Sequence, residues 1–297
     1  MMNERQAKKK ISRIYRKHDG KLTSSRFFRE LSEGYRYSLR NTSDGDGILS
    51  VQPAGAKLKK LLRKRHYVDL SYDLEKVVEN VAYSLMCYGK AYIYINADYS
   101  VEKNRRGKPC KVLQSLEIGE IKGVVSKRTN TSVEFWGFGP LGNISKKTYN
   151  SSGFVEVRLK EFGYTKHYFV KLARKLDRCD ITASTRLLNT TDGYDFSAHM
   201  KKNNEQEFEI TKDLGWIPSF DGISESQLLF RRIQQNKFKT SMLRFVVDRI
   251  NQGLKSFIDL DSDGILNVSL KDVDYDELWE KYSSGLITST ELASFVR

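Results

Sequence analysis

The stretch VVENVAYSLMCYGKAYIYIN, residues 77–96, changes its hydrophobic period halfway along. In the first half the apolar residues recur at the i, i+3, i+4 and i+7 spacing of one helical face, which predicts a helix. The residues after Gly89 are β-formers without a helical stripe, which predicts a strand. Because glycine readily takes the left-handed conformation that closes many helices, we predict that Gly89 is a structural hinge between the two.

The composition of the 297-residue chain, 39% hydrophobic and 30% charged, is typical of a globular protein. No run approaches the roughly 18 consecutive apolar residues of a membrane span. The first ten residues, MMNERQAKKK, lead into no apolar signal-peptide core. We therefore expect no membrane partner and a protein that is cytosolic or assembled from the cytosol.

The net charge of +14 is unevenly distributed along the chain. Residues 1–66 carry 18 Lys and Arg against 6 Asp and Glu, a net +12, whereas residues 251–297 carry 4 against 9, a net −5. Two interpretations of this basic N-terminal arm stay open. Either residues 1–66 contact nucleic acid or an acidic partner, or they form a solvated arm.

The rest of the chain divides into three predicted regions. Residues 67–222 form an α+β region in which alternating segments predict strands, at 90–95, 112–118, 133–138, 154–159 and 168–172. Residues 223–258 contain no proline and carry an apolar stripe, which predicts one helix of about 35 residues that crosses a domain interface or packs against copies of itself. Residues 259–297 form an acidic helical tail whose last helix opens with the capping-box residues Thr288 and Glu291.

Two motifs resemble ligand sites. Residues 137–142 match G-x-G-x-x-G, but the following NISKKTYNSSG is polar and turn-forming, whereas a dinucleotide site needs a helix there. A β-hairpin loop is therefore favoured. Residues 259–264, DLDSDG, open like a calcium-binding loop, but its twelfth position is Leu270 rather than glutamate, which favours a plain acidic turn.

The sequence contains few residues that point to an enzyme. Asp98, Glu120 and Lys122 fit the D…E-x-K pattern of metal-dependent nucleases, although an E-x-K is expected by chance in a chain so rich in Glu and Lys. The four histidines and three cysteines show neither metal-ligand spacing nor a nucleophile signature. We predict a non-enzymatic protein without catalytic residues, metal or cofactor, and keep the nuclease as the alternative.

Residues 73–95, with the helix and strand LEKVVENVAYSLMCYGKAYIYI, resemble a segment of tailed-bacteriophage portal proteins, the head-tail connector family. In that segment a helix ends at a YG-x-AYIYI turn and enters the first strand of the wing. A β-rich stretch, a loop and a long helix follow in the portal order. The tail is similar to the G-x-I-T-x-x-E ending of many portal chains, through Gly285, Ile287, Thr288 and Glu291.

The resemblance implies an α+β, portal-like fold with a β-rich wing, flanking helices and one long stem or tunnel helix. It also implies a homo-oligomeric ring at one capsid vertex of a virion, assembled in the host cytoplasm, through which double-stranded DNA is packaged and ejected. Terminase, capsid proteins and tail or adaptor proteins are the further partners that the resemblance implies.

In such a ring the cations of the long helix are candidates for sequence-independent contacts with DNA phosphates. These candidates are Arg231, Arg232, Lys237, Lys239 and Arg244. For each of them the alternatives are a solvated helix face or a salt bridge between subunits. A third hypothesis is a basic nucleic-acid-binding protein that acts through residues 1–66.

Overall fold

Distant segments of the sequence combine into two compact units in the computed structural model of the chain. The first unit consists of Met1–Lys17, Asp44–Lys166 and Leu243–Lys271, and the second of His18–Ser43, His167–Met242 and Asp272–Arg297. The structure describes residues 2–22, 27–28, 30–31, 49–52, 70–103, 107, 109–138, 143–188, 195–216, 223–255, 267–270 and 273–296. The predicted acidic loop at 259–264 therefore lies outside the described residues.

The elements of the described ranges follow one another in a mixed α and β order. The helices are α1 (Glu4–Leu22), α2 (Leu70–Tyr88), α3 (Tyr168–Leu188), α4 (Phe196–Thr211), α5 (Glu225–Leu254), α6 (Tyr275–Ser283) and α7 (Ser289–Val296). The strands are β1 (Leu49–Gln52), β2 (Lys90–Lys103), β3 (Pro109–Ile121), β4 (Gly123–Arg128), β5 (Ser132–Phe138), β6 (Ile144–Asn150), β7 (Phe154–Arg158) and β8 (Asn267–Leu270). Short 3-10 helices follow β7, at Leu159–Phe162, and α4, at Lys212–Leu214.

The predicted change from helix to strand occurs at Gly89. Its amide donates to the Leu85 carbonyl at 2.8 Å, which closes α2, and its φ of +70° lies in the left-handed region. A Cβ at this position would lie 2.2 Å from the Lys166 carbonyl oxygen. Gly89 is therefore required both by its backbone conformation and by the close approach of residue 166.

The described residues of the first unit form three small antiparallel sheets, and the α+β class predicted from the sequence is confirmed. One sheet has the order β3-β2-β7, the second β4-β5-β6, and β1 pairs with β8. Tyr92, Val133, Phe135 and Phe154 form a buried cluster from the first two sheets. The ring centroids of Tyr92 and Phe135 are 5.3 Å apart at 78°, the edge-to-face arrangement that aromatic pairs prefer.

Helix α1 packs into the first unit along a single stripe. Ala7, Ile11 and Tyr15, spaced by four residues, are buried. The Tyr15 hydroxyl accepts from the amide of Gly123 at 2.8 Å and donates to the carbonyl of Gly123 at 3.2 Å. The part of the predicted basic arm in residues 4–15 is thus anchored through its apolar side, and its charged residues within that range are exposed.

The predicted long helix is observed as α5, 30 residues from Glu225 to Leu254. It contributes residues 225–242 to the second unit and residues 243–254 to the first. In the second unit its Leu229 and Ile233 join a buried cluster with residues of α6 and α7, namely Tyr275, Leu292 and Val296. The predicted capping box opens α7, because the Thr288 amide donates to Glu291 Oε2 at 2.7 Å and the Glu291 amide donates to Thr288 Oγ1 at 3.2 Å.

Two parts of the secondary-structure prediction are wrong. Residues 168–172 belong to helix α3 instead of a strand, since Phe169, Leu172, Ala173 and Leu176 form a buried helical stripe that a five-residue window cannot show. Strands β1, β4, β6 and β8 were not predicted. The sequence ISKKTYN of β6 is polar, and its strand conformation follows from pairing with β5.

Candidate nucleic-acid interface

The five cations predicted to face DNA do not share one side of α5. Lys237 and Arg244 are seven residues apart, so they lie within about 20° of each other around the helix axis. Arg232 and Lys239 form a second pair with the same spacing, roughly 140° away from the first pair. Arg231 lies about 90° from the second pair and on neither of these two sides, so the predicted set is spread over three sides of the helix.

Lys239 is buried within the second unit, where only 6% of its surface is exposed. Burial lowers the pKa of Lys239 to about 8, and the nearby carboxylate of Glu30 acts in the opposite direction. That carboxylate also accepts a hydrogen bond from Trp216 Nε1 at 2.8 Å. Lys239 therefore contributes to the interior of this unit, and its ammonium is not presented to solvent. Arg232, on the same side of α5, is half-buried.

Arg231 is held by residues of the second unit. Its guanidinium lies 4.1 Å from the ring centroid of Phe208, and Nη1 donates to the Lys212 carbonyl at 2.7 Å. Burial is the main cause that lowers the pKa of Arg231. Through these contacts Arg231 of α5 holds the C-terminal end of α4 in place.

Lys237 and Arg244 lie on the solvent-facing stripe of α5. Lys237 Nζ is 2.5 Å from Asp276 Oδ1 on α6 in a partly exposed ion pair. Arg244 is exposed and belongs to the first unit. These two side chains are the members of the predicted set that point to solvent.

A basic cluster that the sequence did not predict lies in the first unit at the start of β2. Lys90 pairs directly with Arg158 of β7, and the Lys166 side chain passes over Gly89, where an added Cβ would lie 2.5 Å from Lys166 Cγ. Lys90 Nζ contacts the Tyr92 hydroxyl and lies 4.8 Å from the centroid of that ring. The cluster is assembled by strand register and by the loop before α3, so its members are scattered in the sequence.

Burial lowers the pKa of Lys90, and three cations, Lys166, Lys10 and Arg158, lower it further. Glu156 acts in the opposite direction. Its carboxylate is also engaged with Arg158, whose Nε and Nη2 donate to its two oxygens at 3.1 and 3.2 Å. Three cations and one carboxylate thus act on Lys90. A second carboxylate, Glu161, acts on Arg158 and is itself paired with Arg249.

The residues of the nuclease alternative are not brought together. Asp98 of β2 pairs with Ser115 of β3, five residues before Glu120 and about 17 Å from it along the strand. An odd separation along a regular strand places Asp98 and Glu120 on opposite faces of the sheet. Two carboxylates in this arrangement cannot bind one cation.

Glu120 has a structural environment instead. It accepts a hydrogen bond from the Ser84 hydroxyl of α2. Burial raises the pKa of Glu120, while the Ser84 hydrogen bond and the charge of Lys122 act against that rise. In the described ranges, no three histidine, cysteine or carboxylate side chains come together to hold a metal ion.

A cavity of about 480 Å³ lies between β2, β3 and β6 of the first unit. Tyr94 and Tyr149 line it with ring centroids 5.8 Å apart, and the Tyr94 hydroxyl donates to Glu117 Oε1 at 2.7 Å. Burial, followed by the negative charge of Glu117, raises the pKa of Tyr149. Lys147 and Asn150 of β6 complete its polar lining.

The glycine motif at 137–142 begins inside β5. The strand β6 follows it and pairs antiparallel with β5, so the predicted hairpin is confirmed and the helix required by a dinucleotide site is replaced by a strand. Residues 139–142 themselves lie outside the described ranges. None of the helices in those ranges has the length and hydropathy required to span a bilayer.

Neither the scan against protein-family models nor the search of curated proteins finds a match to this chain.

Proposed function

We propose that this chain is a structural, non-enzymatic subunit of a portal-like ring through which double-stranded DNA passes. In this proposal, copies of the chain form a homo-oligomeric ring at a capsid vertex of a virion assembled in the host cytoplasm. The ring contacts DNA without reading its sequence, and terminase, capsid and tail or adaptor proteins dock on it.

The observation that carries the proposal is the connection through Gly89. Helix α2 passes through a left-handed glycine into β2, and two three-stranded antiparallel sheets follow. Helices α3 and α4 follow the sheets, the 30-residue helix α5 comes after them, and the pair α6 and α7 follows β8 at the end of the described chain. This order is the one in which the portal resemblance arranges the wing, the long helix and the tail.

Exposed apolar side chains support an assembled state. In the second unit Phe230 is 38% exposed, Phe295 50% and Leu286 75%. The Phe230 ring lies 5.0 Å from that of Trp279 on α6. Aromatic and large apolar side chains are enriched in the buried centres of subunit interfaces, so packing between copies would remove these surfaces from water.

The DNA contacts of α5 narrow to two residues in this proposal, Lys237 and Arg244, because they lie on its solvent-facing stripe. Arg231, Arg232 and Lys239 then serve the interior of the chain or subunit contacts.

Negative-stain electron microscopy of the purified full chain tests the proposal. Ring-shaped particles with a central opening are the expected result. Compact particles of single-chain size under every salt and concentration condition would contradict it.

A further inference from the structure

We propose that Lys10, Lys90, Arg158 and Lys166 form a binding site for nucleic-acid phosphates that continues along α1 through Lys9 and Arg13. The inference deepens the proposed function, because it names a surface through which the chain contacts DNA, and it rests on that function only for the identity of the nucleic acid. Every residue of the site belongs to the first unit.

Strand register fixes the centre of the site. Lys90 and Arg158 are direct partners in the β2–β7 ladder, and Lys166 reaches them across the adjoining Gly89. The Lys90 ammonium lies 4.8 Å from the centroid of the Tyr92 ring and contacts its hydroxyl, at the edge of the buried aromatic cluster. The cation is therefore positioned before any ligand binds.

The charge balance of this centre favours an anion. Like charges at directly opposite strand positions destabilise a sheet, and here two further lysines, Lys10 and Lys166, act on Lys90. Glu156, the carboxylate that acts on Lys90, is already bound to Arg158 through both oxygens. A phosphate placed among these cations relieves repulsion that the free protein must bear.

The extension along α1 favours a polyanion over a single phosphate. Lys9, Lys10 and Arg13 are exposed, and Arg13 follows Lys10 at i+3, so the two are neighbours on one face of the helix. Ala7, Ile11 and Tyr15 bind the opposite side of α1 to the unit, which holds this row in place. Double-stranded DNA carries one charge per about 1.7 Å of its axis, so a row of this length meets several phosphates.

DNA binding by two charge-matched triple variants tests the site. The first carries Lys10→Gln, Arg13→Gln and Lys166→Gln, all at exposed positions of the first unit. The control carries Lys171→Gln, Arg174→Gln and Lys201→Gln, also exposed but in the second unit. Both lose two lysines and one arginine. Fluorescence anisotropy with a short labelled duplex of arbitrary sequence gives Kd at several salt concentrations.

Each phosphate contact contributes about 0.9 to the magnitude of the slope of log affinity against log salt. The magnitude of the slope should therefore decrease by roughly 3 in the first variant and by about 1 in Lys166→Gln alone. The control variant should keep the wild-type slope. Equal slopes in the first variant and the control overturn the site.

Two further measurements separate the alternatives. Polyglutamate that displaces the duplex as effectively as unlabelled DNA does would overturn the assignment to nucleic acid in favour of an acidic protein partner. Electron microscopy of the same samples distinguishes this inference from the proposed function: intact rings with an unchanged slope overturn the site alone. A chain that forms no rings while the first variant loses its slope overturns the ring and keeps the site.

Discussion

Lys90 of β2 and Arg158 of β7 occupy directly opposite positions in an antiparallel ladder, so two cations meet where a sheet ordinarily avoids like charges. Glu156, which faces Tyr92 two pairs further along the ladder, offsets part of this repulsion by accepting two hydrogen bonds from Arg158. One carboxylate thus serves two cations at the point where α2 enters the sheet.

Gly89→Ala should destabilise the protein far more than Gly285→Ala does. Both glycines have nearly the same φ, +70° and +74°, so both substitutions carry a backbone cost of about 1 kcal/mol. The added methyl group at Gly89 also meets the Lys166 carbonyl oxygen at 2.2 Å, whereas nothing lies within 4 Å of a Cβ at Gly285. Urea unfolding of the two variants measures the difference, and equal losses would mean that residue 166 does not constrain this junction.

Tyr15→Phe should lower the free energy of unfolding by about 1–3 kcal/mol, because it leaves the buried amide of Gly123 without its hydroxyl acceptor. Tyr282→Phe is the control, since its hydrogen bond with Ser226 is at the surface and its loss should cost about 0.5 kcal/mol or less. Chemical unfolding gives both values. A Tyr15→Phe variant as stable as the control would show that this hydroxyl does not anchor α1.

Lys239 should make the protein more stable as the pH rises above 8. Its pKa is lowered from 10.5 to about 8 in the folded chain, so between these values the unfolded chain binds more protons than the folded one. The free energy of unfolding therefore increases with pH across this window, by up to roughly 3 kcal/mol from this group. Lys239→Met should lack that increase, whereas the exposed-site control Lys175→Met should retain it. Urea unfolding at two pH values between the two pKa values measures this increase. An equal increase in Lys239→Met and in wild type would contradict the burial of the Lys239 ammonium.

Thr288→Ala should destabilise α7 by about 1 kcal/mol, since it removes the acceptor for the Glu291 amide. The backbone hydrogen bond from Thr288 is the main cause that lowers the pKa of Glu291. The stabilisation that the ionised Glu291 gains from this hydrogen bond is present above the ordinary pKa of glutamate. It is lost as the pH falls through the lowered pKa of Glu291. Thr290→Ala, at an exposed position inside the helix, should cost nothing because alanine favours helix. Unfolding monitored by circular dichroism at neutral and acidic pH distinguishes these outcomes.

The features that could be predicted from the sequence are those that a local pattern determines. The change of period at Gly89, the unbroken stripe of α5 and the Thr288 capping box each lie within one continuous stretch. The strand assigned to residues 168–172 was wrong because five apolar-rich residues fit both periods, and the helical stripe becomes visible only when Leu176 is included.

The basic cluster could not be predicted in this way, because it depends on register. Lys90 and Arg158 are neighbours only through the pairing of β2 with β7, and Lys10 joins them from α1. The cations of α5 show the opposite case: they are close in sequence, yet Lys239 is buried while Arg244 is exposed. The position of a side chain around the helix and its packing against neighbouring segments determine whether its charge is exposed to solvent. Amino-acid composition specifies neither of these.

The central claim, that the chain is a subunit of a ring, is tested most directly by mass photometry of the purified protein. The account predicts one dominant species at a fixed multiple of the 34.3 kDa chain mass, stable on dilution. A single peak at the monomer mass across the whole concentration and salt range would contradict it.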